Sequence, residues 1–154
     1  MSLEEQVASG LRDRACGWWV RLVFDSFGYL ETDFGYSLAE VRLHFRGNYI
    51  QYRGPVYEFV TEYDPDDTQS IHANLWLVAD LDPEGQGEGI RFPRVLDVNR
   101  LLLARNPDLP LAAPMPSHLD RATVSDAIAT WARGLRELAP DVLAGAWPED
   151  VATP

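Results

Sequence analysis

From Glu40 to Arg46 the chain alternates residue by residue, with Val41, Leu43 and Phe45 on one side and Glu40, Arg42, His44 and Arg46 on the other. A two-residue repeat is the period of a half-buried strand. Gly47-Asn48 supplies residues that tolerate a tight hairpin turn, and Tyr49 to Arg53 reads as the return strand, ended by Gly54-Pro55. Val56 to Tyr63 is rich in β-branched and aromatic residues, which predicts a third strand. It offers two mixed faces, Tyr57/Phe59/Thr61/Tyr63 and Val56/Glu58/Val60/Glu62, and the pattern does not choose between them. After the turn residues Asp64-Pro65-Asp66-Asp67, Ile71 to Ala79 alternates Ile71, Ala73, Leu75, Leu77 and Ala79 against His72, Asn74, Trp76 and Val78. The connections are too short for parallel crossovers, so the pattern predicts a four-stranded antiparallel meander over about residues 40–79.

Helical periodicity flanks this stretch. Ser2-Leu3-Glu4-Glu5 has capping-box spacing, and Leu3, Val7, Leu11, Ala15, Trp18 and Leu22 follow at three- and four-residue steps. The stripe predicts helix over about 3–33, with Gly17 and Gly28 as break points and Gly35 as terminator. Downstream, Asp97 reads as the cap of a helix from Val98 to Arg105, and four prolines between 107 and 116 read as an extended connector. Ser117-x-x-Asp120 then opens the last long helix, whose Val124, Ile128, Trp131, Leu135, Leu138 and Val142 form the clearest amphipathic stripe in the chain. Pro140 predicts a kink or a new start, and Asp141 to Ala146 a short terminal turn. The expectation is one α+β domain, 1–154, with the meander packed against N-terminal and C-terminal helices (about 3–33 and 97–146).

Composition narrows the partners. Twenty-four acidic residues against thirteen basic ones give a net charge of −11, which argues against nucleic acid and anionic membrane. The single cysteine, Cys16, excludes an internal disulfide and reads as a small buried filler. No basic segment followed by an apolar run opens the chain, and no apolar stretch approaches a membrane span, so the expected location is cytoplasmic.

Catalytic signatures are missing. Asp80-Leu81-Asp82-Pro83-Glu84-Gly85 resembles the start of a calcium loop, but Arg91 stands where the bidentate glutamate belongs. The alternate glycines 85, 87 and 89 open no helix that could hold a phosphate, and Glu84 and Glu88 would repel one. His44, His72 and His118 lack metal-ligand spacing, no serine lies in a nucleophile elbow, and every basic side chain is arginine, which removes lysine chemistry. No metal and no cofactor is expected.

The order of an N-terminal helix, Leu30-Glu31-Thr32-Asp33-Phe34-Gly35-Tyr36, Tyr52-Arg53-Gly54-Pro55-Val56-Tyr57 and Tyr63-Asp64, closing on Leu135 to Gly145, resembles a broad group of small bacterial α+β proteins of uncharacterised function. Some of these are suspected of being immunity proteins for secreted toxins. The resemblance implies α+β folding and toxin neutralisation, and it carries over no functional residue.

Two functional expectations follow. The first is a non-catalytic, immunity-type binding protein that masks a basic partner with acids at Asp64, Asp66, Asp67, Asp80, Asp82, Glu84 and Glu88. Aromatic anchors such as Tyr49, Tyr57 or Trp76 would stand beside them. The second is a small-molecule enzyme or ligand carrier with a site between sheet and helices, for which His44, His72, Arg42 and Arg46 are the polar candidates. A homodimer through the sheet edge or the last helix is compatible with either.

Overall fold

The computed structural model describes residues 1–44, 47–65, 70–81, 93–112 and 115–151. Three helices open the chain: α1 (Leu3–Arg12), α2 (Gly17–Phe27) and α3 (Tyr29–Phe34). Ser2 and Glu5 form the expected capping box, with the Ser2 Oγ accepting from the Glu5 amide at 3.2 Å and the Glu5 carboxylate accepting from the Ser2 amide at 2.8 Å. The predicted continuous helix is interrupted at both glycine break points. Asp13 stops α1 by turning its carboxylate onto the amides of Ala15 and Cys16, and Gly35, at a φ of 72°, ends α3.

The sheet that follows has five antiparallel strands in sequence order, not four: β1 (Ser37–Arg42), β2 (Asn48–Arg53), β3 (Tyr57–Asp64), β4 (Ser70–Leu77) and β5 (Val95–Asp97). The added strand is three residues long, too short to display a period, and pairs Leu96 with Leu75. The predicted boundaries also move, and the first strand stops at Arg42 rather than Arg46, with Leu43 and His44 already outside it. The first strand begins at Ser37 and is bulged between Leu38 and Glu40, which keeps both Leu38 and Val41 on the helix side. The fourth ends at Leu77, and Val78–Leu81 turns into a short helix, α4.

Two further helices follow in the C-terminal half, α5 (Val98–Arg105), which contacts β4 and β5, and α6 (Arg121–Leu138), which packs on α2 and α5, and then the short α7 (Pro140–Leu143). Asp97 caps α5 as expected, its carboxylate accepting from the Arg100 amide. The cap of α6 is Asp120 rather than Ser117, with the Thr123 amide 2.7 Å from its carboxylate, because His118 adopts a φ of 60° and turns the chain before the helix starts.

One face of the sheet supplies the core. Tyr57, Phe59, Thr61 and Tyr63 of β3, Ile50 and Tyr52 of β2, and Ile71, Ala73 and Leu75 of β4 are buried against the helices. Phe27 of α2 meets Phe59 at 4.5 Å between ring centroids, and Trp19 meets Tyr63 at 5.6 Å. Cys16 is fully buried in this layer. From the far side, Trp131 of α6 donates its indole N–H to the Asn99 side chain on α5, which in turn donates to the Ala112 carbonyl at 2.6 Å. That relay satisfies a buried indole and a buried amide together while fixing the connector to two helices.

Polar ties close the periphery. Tyr36 donates to the Leu143 carbonyl at 3.0 Å and Tyr57 to that of Ala146 at 2.9 Å, anchoring the C-terminal turn to the sheet. Arg105 grips Asp141, Asp150 and the Leu138 carbonyl, and its guanidinium holds both carboxyl groups below their usual range. On the other flank, the Gln6 side-chain oxygen accepts from the Val41 amide at 2.9 Å, tying α1 to β1.

Gly54 is needed for close approach: a Cβ there would lie 2.7 Å from the Tyr36 ring, which the bond to Leu143 holds in place. Gly54→Ala is therefore expected to lower unfolding free energy by about 1–3 kcal/mol, read as a lower urea midpoint at unchanged slope. An unchanged midpoint would contradict the contact.

Candidate functional site

Burial of one sheet face turns the alternate residues of every strand the other way. That second face is unevenly exposed: Glu58 and Val60 are buried on it, while Arg42, Arg53, Glu62 and His72 are exposed. Its cross-strand rows follow from the register. One row runs Arg53, Glu58, Trp76, Val95; the next Glu40, Gln51, Val60, Asn74, Asp97; the third Arg42, Tyr49, Glu62, His72. It is a mixed polar and aromatic surface centred on β3.

Much of its charge is internally paired. Arg53 approaches Glu58 at 2.9 Å, and Glu58 is nearly buried beneath it. Arg42 contacts Glu40 at 2.5 Å and lies over the Tyr49 ring, 5.6 Å from its centroid. Tyr49 is half-buried and points its hydroxyl toward Glu40 at 3.5 Å; burial, with the Glu40 carboxylate assisting, pushes its pKa up, so it stays protonated. Asp97 is committed to capping α5. Glu62 and His72 are exposed neighbours in the third row, and Trp76 is half-buried in the first.

The residues singled out in the sequence are dispersed. Tyr57 belongs to the core, fully buried with its hydroxyl bonded to Ala146, so it is not an anchor on the surface. This correction follows from the third strand burying its Tyr57/Phe59/Tyr63 face. Asp80 is taken by Arg94, whose guanidinium and backbone amide both donate to it at 2.8–3.2 Å. Asp64 is half-buried at the end of β3. Asp66, Asp67, Asp82, Glu84, Glu88 and Arg46 lie outside the described residues. The sequence did not single out Glu40, Glu58 and Glu62 as surface residues. Their alternation was visible, but the choice of face required knowing which aromatic set the helices cover.

His44 and His72 are not brought together, since β2 and β3 stand between their strands. His44 leaves β1 at a φ of 61°, with its amide on the Asn48 side chain at 2.8 Å and its Nε2 2.6 Å from Asp13 Oδ2. This pair lines a cleft of about 350 Å³ with Gln6, Ser9 and Glu40, between α1 and β1. A second cleft of about 410 Å³ lies between the connector and α6, lined by Leu111, Met115, Ala127 and Arg133 among others. Both are peripheral. The space between sheet and helices is filled by Trp19, Phe27, Phe59 and Ile71, each fully buried. Among the described residues no three His, Cys, Asp or Glu side chains converge as metal ligands, and no helix is long and apolar enough to cross a membrane.

Comparison with known protein families, with characterised proteins and with solved structures finds no match to this chain. The resemblance to small bacterial α+β proteins therefore rests on the sequence pattern alone.

The hydrogen bond from His44 holds the Asp13 carboxyl below its usual range, helped by the amides of Cys16 and Ala15. A lowered folded-state pKa gives stability that is present above the ordinary carboxylate value and lost as pH falls through the folded one. Asp13→Asn is accordingly expected to be less stable than the parent at pH 6, by under about 1 kcal/mol because His44 is half exposed. The gap should close as the solution is acidified below about pH 4, followed by urea unfolding at several pH values. A gap independent of pH would remove the ion pair from the account.

Proposed function

We propose that this protein is a non-catalytic binding protein that uses the second, polar face of its sheet to mask a basic surface on a partner protein, as an immunity-type inhibitor does. The observation that carries the reading is the two-sided sheet: described helices pack on one face, and the other carries the half-buried rings of Tyr49 and Trp76 with the carboxylates of Glu40, Glu62 and Asp97 and the guanidinium groups of Arg42 and Arg53. Half-buried aromatic rings within a rigid strand array lose little conformational freedom on binding, which suits them as anchors. The net charge of −11 favours a basic partner by accelerating encounter, while the rings and hydrogen-bonding groups set how long it stays.

The filled interior weighs against the second expectation, a small-molecule site between sheet and helices.

The test is affinity capture from the native host with the chain immobilised. The expected result is a basic protein retained at about 0.1 M salt and released toward 1 M, where the screening length falls from about 10 to about 3 Å. Trp76→Ala should weaken that same complex by about tenfold or more, as removal of an interface tryptophan does. Capture of a protein whose retention ignores both salt and Trp76 would refute the reading.

A further inference from the structure

Among the carboxylates of the second sheet face, one stands apart. Glu40 is held by Arg42, Glu58 by Arg53, and Asp97 by the first turn of α5. Glu62, on the central strand, is exposed and has no hydrogen bond or ion pair among the described residues. The register sets it directly between two rings, Tyr49 on β2 and His72 on β4. Directly opposed side chains on neighbouring strands stand about 4.5–5.5 Å apart at Cβ, so both rings are within contact of whatever the carboxylate binds. Neither ring satisfies Glu62 itself: the Tyr49 hydroxyl points to Glu40, and Arg42 already covers Tyr49 from β1.

We infer that the Tyr49–Glu62–His72 row is a subsite for a single arginine side chain of the partner, a deepening that rests on the binding reading above. A guanidinium is planar, stacks on aromatic faces and donates in a fork to a carboxylate, which matches a carboxylate flanked by two rings. The face already contains that pairing in cis, where Arg42 combines a ring, Tyr49, with a carboxylate, Glu40. Arg42 stands at the β1 end of that same row and is paired with Glu40, which leaves Glu62, on the other side of Tyr49, without a guanidinium among the described residues. An ammonium group would gain the charge attraction but not the stacking, so arginine is favoured over lysine at this position.

The probe is the blocked tripeptide acetyl-Gly-Arg-Gly-amide, titrated into the isotopically labelled protein, with the citrulline analogue as the neutral control. Saturating amide shifts are expected around Tyr49, Glu62 and His72 with arginine and not with citrulline. Glu62→Gln should weaken binding by about three- to fivefold, as expected for an exposed ion pair. Tyr49→Leu should weaken it as well, and Glu137→Gln, an exposed acid on α6, should not. Thermal unfolding of each variant verifies that it is folded. Shifts scattered over other acids, equal responses to citrulline, or undiminished binding by Glu62→Gln would overturn the subsite. A natural partner retained equally by wild type and Glu62→Gln would overturn it too, while leaving the binding reading intact. Failure of the wild-type chain to retain any partner would count against the binding reading, and the tripeptide data would then judge the subsite separately.

Discussion

The contact between α2 and β3 governs the rest of the architecture. Phe27 against Phe59 and Trp19 against Tyr63 commit one aromatic face of the central strand to the helices. Because side chains on a strand alternate, that choice propagates through the ladders to every neighbouring strand. Ile50 and Tyr52, Ile71 and Leu75, and finally Leu96 on the short outer strand all turn the same way. Large buried rings contribute more per residue than any of the polar ties around them, so a slip of register by one position would exchange a packed aromatic layer for Glu58, Val60 and Glu62.

The open face is a by-product of that commitment, yet its composition is not arbitrary. Arg53 shields Glu58, and Arg42 bridges Glu40 to Tyr49, so the flanks of the face are neutral pairs while the middle keeps its negative charge. The partly exposed Arg42–Glu40 pair adds little stability, whereas Arg53 compensates the nearly buried charge of Glu58. The effect of both pairs is to orient side chains and to limit the set of positions where an incoming cation gains a partner. The acidic excess of the whole chain and this local arrangement are the two features on which the proposal of a basic partner rests.

Most of the fold was legible because its elements are periodic. The capping box at Ser2, the cap at Asp97, the stripe of α6 and four of the five strands each carry a signal within about ten residues of chain. What escaped the sequence was decided at a distance. The fifth strand is defined by pairing with Leu75 and Trp76, not by its own three residues. The start of α6 moved because His118 adopts a left-handed conformation that no local rule for histidine announces. Tyr57 looked like a surface ring because its strand had two plausible faces, and only the helices choose between them. Glu62 escaped notice for the same reason, being ordinary in sequence and distinctive only beside Tyr49 and His72.

The bond from Gln6 to the amide of Val41 has a consequence for how this protein behaves in crowded solution. β1 is an outermost strand, and its unpaired backbone groups are a template onto which another chain could add. Here the first helix lies along that border and one glutamine oxygen takes up a donor that a stranger would otherwise use. The bulge between Leu38 and Glu40 further spoils the regular spacing that strand addition requires. The opposite border, β5, is protected by brevity instead. The N-terminal dozen residues thus close one border of the sheet, and the capping box that starts their helix helps to hold that closure in place.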